Sequence, residues 1–152
     1  MRALLQRVTS ASVQHKQTKQ KNEIAHGMLV LLGVAQDDTE EDLKYLVKKL
    51  VNLRIFDDAA GKMNLSIQQT NGEILSVSQF TLYGDTRKGN RPGFSEAAAP
   101  ELAKSLYHAF NQELRLQLGE ERVKTGFFAA NMEVKLSNDG PVTFLLESKG
   151  KN

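Results

Sequence analysis

"GMLVLLGVAQ" (27–36) is the stretch that decides the fold. It is apolar almost without a break, and it is far too short to span a bilayer. A run of that length without polar alternation reads as a strand buried on both faces. The next stretch is of another kind. In "DDTEEDLKYLVKKLVNLRIF" (37–56), Leu43, Leu46, Val47 and Leu50 recur at helical spacing. Thr39 reads as an N-cap with Asp42 three residues on, and Lys48 and Lys49 lie toward the other end. The spacing predicts a helix over 40–53, so a buried strand is followed by an amphipathic helix.

Working outward, "LLQRVTSASV" (4–13) reads as the first strand and "QHKQTKQKNEIAHG" (14–27) as a polar hairpin end. "DDAAGKMNLSIQQTNG" (57–72) carries Gly61 and an Asn71-Gly72 pair and reads as loop with turns. "EILSVSQFTLYG" (73–84) is the clearest strand, and "DTRKGNRPGFSEAAA" (85–99) is a loop broken by Gly and Pro. Pro100 suits a first helical turn, Leu102, Leu106, Phe110 and Leu114 form a stripe, and Gly119 is a natural stop. "ERVKTGFFAANMEVKLSNDG" (121–140) reads as strand bent at Gly126, and "PVTFLLES" (141–148) as the last strand. The expected architecture is mixed α/β, more antiparallel than doubly wound, with two long helices. A single domain is expected over 1–148, with 149–152 a flexible tail.

Composition narrows the function. The 152 residues hold 20 basic and 18 acidic side chains, so a net charge of +2 is no argument for nucleic acid, although a local basic patch is compatible with it. With no cysteine there is no disulfide, thiol nucleophile or thiolate metal site, which leans toward the cytoplasm. "MRALLQRVTSASV" (1–13) lacks the apolar core of a secretory signal. His15 and His26 flank the polar hairpin, where solvent exposure is the commoner role, and His108 lies within the second helix at an exposed or core-edge position. No H-E-x-x-H, G-x-S-x-G or P-loop pattern is present. No metal and no cofactor are expected.

Three stretches could carry chemistry. In "SQFT" (78–81), strand alternation sets Ser78 and Phe80 on one face and Gln79 and Thr81 on the other. A site using all four needs a bulge or backbone N–H donors of the oxyanion-hole type. Thr81 as a nucleophile needs a base, and none is near in sequence; the commoner role for Ser78 and Thr81 is that of polar strand positions. Arg87, Lys88 and Arg91 could hold phosphates, or form a solvated loop. "TGFFAANM" (125–132) sets small residues beside Phe127, Phe128 and Met132, as pocket lining or as core. "NDGPVTF" (138–144) raises a further question: Gly140-Pro141 is either a turn that starts a strand or a rigid backbone probe.

Together these motifs resemble the D-aminoacyl-tRNA deacylase family, over nearly the whole chain. The pairing of Ser78-Gln79-Phe80-Thr81 with a late N-x-G-P-V-T at 138–143 is the specific part. Asn131 stands where that family commonly has Asp, Gly93 where Ser is common, and the 15–27 hairpin is more basic than usual. The resemblance implies a barrel-like homodimer that hydrolyses the ester between a D-amino acid and the 3′-terminal adenosine of tRNA, and clears glycine from a wrong tRNA such as tRNA(Ala). It implies a cis Gly140-Pro141 peptide, held near Arg7 and inserted into the partner's pocket. Ser78, Gln79, Phe80 and Thr81 would serve as backbone and positioning residues, with the tRNA 2′-hydroxyl assisting. Phe128 and Met132 would line the adenosine or amino-acid side, and Arg87, Lys88 and Arg91 would contact phosphate. The implied partners are the tRNA 3′ end and a second copy, with neither membrane nor DNA. The rivals are a Thr81-nucleophile hydrolase, a non-catalytic RNA-binding module and a structural dimerisation protein.

Overall fold

The computed structural model describes residues 1–150. Among these the strands are β1 (Arg2–His15), β2 (Lys21–Ile24), β3 (Gly27–Gly33), β4 (Phe56–Asp57), β5 (Met63–Leu65), β6 (Glu73–Ser78), β7 (Val123–Thr125) and β8 (Met132–Glu147). The helices are α1 (Glu40–Asn52) and α2 (Pro100–Leu118), with short 3-10 turns between elements. No helix among the described residues is long and apolar enough to cross a membrane.

β1 organises the sheet. Along one edge it pairs antiparallel with β2 and β3 in a single continuous register, from Gln14↔Lys21 to Arg2↔Gly33. Along its other edge it pairs antiparallel with β8. β6 then adds parallel to β3, and β7 parallel to β6. The far half of the β1–β2 hairpin approaches β7, and Asn22 Nδ2 donates to the Thr125 carbonyl at 2.7 Å. The sheet thereby nearly closes into a barrel, as the family resemblance implies.

Two apolar clusters arise from the alternation of side chains in β1. Met1, Ala3 and Leu5 pack toward α1 and α2 with Leu46, Leu50, Phe110 and Leu114. Val8, Ala11 and Val13 pack on the other face with Leu29, Leu75 and Val77. The parity of β1 changes after Val8, at a register shift between Val8 and Ser10. β3 is buried on both faces, as its unbroken apolar run predicts. α1 starts at the Thr39 cap, whose N–H donates to the Asp42 carboxylate at 2.8 Å. Pro100 opens α2 and Gly119 ends it at φ 100°.

Four segments differ from the sequence reading. "SQFT" is not strand throughout: β6 ends at Ser78, and Phe80–Tyr83 form a 3-10 turn. The cause is that β3, the partner of β6, runs out at Gly33. The chain folds over that glycine so closely that a Cβ there would lie 3.0 Å from Leu82 Cβ and 3.3 Å from Gln79 O. Second, Gly140-Pro141 does not start a strand. β8 pairs with β1 on both sides of it, and residues 139–142 bulge out opposite Arg7, between the pairs Gln6↔Thr143 and Val8↔Asn138. Third, 57–72 holds part of a small β4–β5 hairpin, turned by Asp58, whose carboxylate accepts the Ala60 and Lys62 N–H groups. Fourth, where one bent strand was expected over 121–140 there are two separate strands, β7 against β6 and β8 against β1, joined by non-strand residues 126–131. In the expected tail, Lys149 pairs with Asp37 and Asp38 at 3.0 and 3.4 Å. Residues 151 and 152 lie outside the described residues.

Candidate active site

The 3-10 turn at the end of β6 opens a cavity of about 610 Å³. Ser78, Gln79 and Phe80 form one side, and Phe128, Ala129, Ala130 and Met132 the other. Phe94, Ala97 and Ala98 close it, together with Pro100 and Ala103 from the start of α2. The positive end of that helix dipole therefore meets the cavity wall. The residues after Thr125 fold tightly over β6. The Gly126 N–H donates to the Ser76 carbonyl at 2.8 Å, and the Phe127 N–H to Met132 Sδ at 3.2 Å. A Cβ on Gly126 would stand 3.1 Å from that sulfur.

A 3-10 turn leaves its leading N–H groups without partners inside the turn. The Gln79 N–H donates to the Leu32 carbonyl at 2.7 Å, and the Leu82 N–H returns to the Gln79 carbonyl at 3.3 Å. The Phe80 and Thr81 N–H groups, between them, have no acceptor among the described residues. Two neighbouring backbone donors in a turn that borders a cavity can stabilise an oxyanion. The turn also resolves the alternation problem, because 79–81 no longer obey the period of a strand. Gln79 Nε2 donates to Thr81 Oγ1, which fixes the hydroxyl without supplying a base. The rear of the turn is pinned by Arg2, whose Nη1 donates to the Leu82 carbonyl at 2.8 Å and whose Nε meets Glu147 at 2.6 Å. That guanidinium also lies 4.5 Å from the Tyr83 ring centroid. Arg2, Phe94 and the start of α2 are site elements that the sequence reading missed. The aromatic in "RPGF" (91–94) was the available signal.

The sequence-predicted residues fall into three groups. Ser78, Gln79, Phe80, Phe128 and Met132 line the cavity, and Thr81 stands in the same turn. Arg87, Lys88 and Arg91 lie in the next loop, stapled by reciprocal bonds between Asp85 and Gly93 at 2.7 and 2.9 Å. Its Phe94 packs edge-on against Phe80 with centroids 4.9 Å apart. Arg87 is already engaged, with Nε and Nη2 each 2.8 Å from the Asp85 carboxylate. That bidentate contact holds Asp85 down at about 2.

Arg7, Gly140 and Pro141 form the third group, apart from the cavity. The Gly140-Pro141 peptide is cis. Buried Arg7 donates through Nε to the Asp139 carbonyl at 2.9 Å, and through Nη1 to the Ile55 carbonyl at 2.8 Å and to Asp57 at 3.2 Å. Asn138 clasps the turn's exit: its Oδ1 accepts the Val142 N–H at 2.7 Å, and its Nδ2 donates to the Val142 carbonyl at 3.1 Å. Gly140 is at φ +148°, and a Cβ there would lie 2.6 Å from Val142 Cγ2. Of the histidines, His108 and His26 are exposed as expected, whereas His15 is half-buried against Phe127.

Three comparisons bear on this arrangement. The family model described as D-Tyr-tRNA(Tyr) deacylase matches residues 4–147. Relatives from Thermosipho africanus (strain TCF52B) and Thermosipho melanesiensis (strain DSM 12029 / CIP 104789 / BI429), each named D-aminoacyl-tRNA deacylase, are both 56% identical over 149 residues. Each match covers 98% of this chain and 98% of the relative. A solved structure titled c-Myc DNA Unwinding Element Binding Protein superposes with a TM-score of 0.91 at 43% identity, over 97% of this chain and 98% of that one. Another, titled as a probable eukaryotic D-amino acid tRNA deacylase, gives 0.85 at 20% identity, over 96% and 98%, and shares the fold.

Proposed function

The chain belongs to the D-Tyr-tRNA(Tyr) deacylase family, and on that premise we propose that it hydrolyses the ester between a D-amino acid and the 3′-terminal adenosine of tRNA. The observation that carries this reading is that, among the described residues, the N–H groups of Phe80 and Thr81 have no partner and the neighbouring apolar cavity has no titratable side chain in its lining. Such a site can stabilise an oxyanion but cannot itself take a proton from water. A substrate that brings its own hydroxyl next to the ester makes up that deficit, and the ribose 2′-hydroxyl is so placed. Water adds to the carbonyl carbon while the Phe80 and Thr81 N–H groups hold the oxyanion. The bond to the ribose oxygen breaks, that oxygen takes the proton, and free tRNA and amino acid leave. Thr81 and Gln79 position the ester, and Phe128 and Met132 line the adenosine side. Lys88 and Arg91 are freer to meet phosphate than Arg87, which Asp85 holds. In this reading the protein works in the cytoplasm, where its substrate is.

Handedness requires a wall that one hydrogen passes and a side chain does not. An apolar pocket separates small size differences by only about 1–3 kcal/mol. The Gly140-Pro141 turn, fixed by Arg7 and Asn138, is such a wall built of backbone. It does not serve the cavity of its own chain. Arg2 and Arg7 leave opposite faces of β1, and the turns they hold are separated by about 17 Å of strand. We therefore assign the turn to the cavity of a second copy. Among the described residues the outer edge of β8 pairs with no strand, and Leu136, Phe144 and Leu145 are exposed along it, which suits a homodimer. Glycine has no side chain to exclude, so glycyl-tRNA(Ala) passes the same filter.

The structure titled as a DNA-unwinding-element binding protein favours one second reading, nucleic-acid binding without hydrolysis. One assay separates the two. D-tyrosyl-tRNA should be hydrolysed, L-tyrosyl-tRNA spared, and a 2′-deoxy terminal adenosine should slow the reaction strongly. Binding with the ester left intact would end the deacylase reading.

A further inference from the structure

The tip of the β1–β2 hairpin carries three exposed cations, Lys16, Lys19 and Lys21. Lys21 pairs with Glu23 at 3.2 Å, whereas Lys16 and Lys19 enter no ion pair among the described residues. From β8, Glu133 and Lys135 face the same region, paired with each other at 3.0 Å. The Glu133 carboxyl is held below its usual range first by Lys135, with smaller contributions from Lys16 and Lys19. Four lysines against two glutamates leave the region positive.

The tip is also held in shape. The Lys16 N–H donates to the Asn131 carbonyl at 2.9 Å, and the Lys19 N–H to the His15 carbonyl at 2.9 Å. His15 Nδ1 accepts the Gln17 and Thr18 N–H groups, both at 3.2 Å, and the ring packs edge-on to Phe127. A second cavity of about 610 Å³ lies between this tip and the loop after Phe127. It is lined by His15, Lys16 and Gln17, and also by Phe128, Ala129 and Ala130. Those last three residues line the candidate active site as well. The two hollows are thus neighbours across a low saddle of two alanines, where Ala129 turns the chain at φ 58°. An RNA strand whose terminal nucleoside lies against Phe128 and Met132 can leave the site over this saddle. Its next phosphates then meet uncompensated ammonium groups beside the His15 ring, while Phe128 holds the terminal nucleoside, the combination of cations and rings that binds single strands without reading sequence.

We propose that the hairpin tip, Lys16 and Lys19 foremost, is the phosphate-binding rail for the single-stranded RNA immediately 5′ of the terminal nucleoside. This rests on the reading of the cavity as a deacylase site. The test compares Lys16→Ala/Lys19→Ala with the unaltered protein on D-tyrosyl-tRNA and on D-tyrosyl-adenosine, over a range of salt. On tRNA the variant should lose at least about tenfold in kcat/KM at low salt, and its log–log salt dependence should be shallower by about 1.4, or 0.7 for each of two phosphates. On D-tyrosyl-adenosine it should match the unaltered protein. An unchanged salt slope on tRNA, or an equal loss on both esters, overturns the rail. So does an equal loss in Lys48→Ala/Lys49→Ala, which removes the same charge from α1. Should the unaltered protein cleave neither ester, the deacylase reading falls, and the salt dependence of binding to uncharged tRNA, measured on both variants, still decides the rail.

Discussion

Arg2 and Arg7 extend from one strand and hold two turns in different ways. Arg7 is buried and gives its guanidinium to two backbone carbonyls and a carboxylate, beneath the Gly140-Pro141 turn. Arg2 is about one-third exposed, with its side chain at 34%, and reaches only the last part of the Phe80–Tyr83 turn. The leading N–H groups of that second turn are left open. One turn is thus fixed from within, and the other is fixed at its rear and available at its front. A wall that excludes must not move, because a side chain admitted by a small shift is a failure of selectivity. A site that reacts must keep its donors unspent. On the proposed function, the difference between the two arginines matches these two demands.

The contrast can be broken most directly at Arg7. Arg7→Ala strands the Ile55 and Asp139 carbonyls and should cost about 3 kcal/mol in chemical denaturation, with the ratio of D- to L-tyrosyl-tRNA hydrolysis falling at least about tenfold, in line with 1.4 kcal/mol per decade. A stable variant with intact selectivity would show that the turn is not held from beneath. Asn138→Ala removes the acceptor of the Val142 N–H and should cost about 1–2 kcal/mol, relaxing selectivity by less than Arg7→Ala does. Arg2→Ala, at a partly exposed site, should cost about 1 kcal/mol; it should lower kcat while leaving the D-to-L ratio unchanged. A change in that ratio would erase the division between the two turns.

Thr81→Ala sharpens the same division at the reacting end. With donors supplied by the backbone, kcat/KM should fall by less than about tenfold, or 1.4 kcal/mol. A folded, tRNA-binding and inert variant would make the hydroxyl itself catalytic. The smallest effect concerns Asp85, held at about 2 by the Arg87 guanidinium. Because its folded value is depressed, its contribution to stability is complete above its ordinary value of about 3.9 and fades as pH falls through 2. A carboxyl-carbon NMR titration should give a midpoint near 2, and activity between pH 5 and 8 should not reflect this group. A midpoint near 4 would mean that Arg87 is free for phosphate after all.

Much of this molecule was legible in order. The run Met28–Leu32 reads as an interior strand and is one, and α1 starts at the expected Thr39 cap with Asp42 three residues on. Pro100 and Gly119 bounded α2 within the expected stripe. The failures share a cause. Ser78–Thr81 has the composition of a strand, yet its hydrogen bonds depend on how far β3 extends beside it, a non-local quantity. The residues around Gly140 look like the end of one strand and the start of another. Only the pairing of β1 reveals a single strand with a bulge.

The sequence by itself determined both helices and the interior strand, because periodicity and caps act over a few residues, and it determined the family, because two short motifs are specific. Tertiary structure decided where those motifs stand. Pairing register, the close approach over Gly33 and the reach of Arg2 and Arg7 arise between residues far apart in the chain. They turned a strand end into a pair of open donors, and they set the Gly140-Pro141 turn away from the cavity of its own chain.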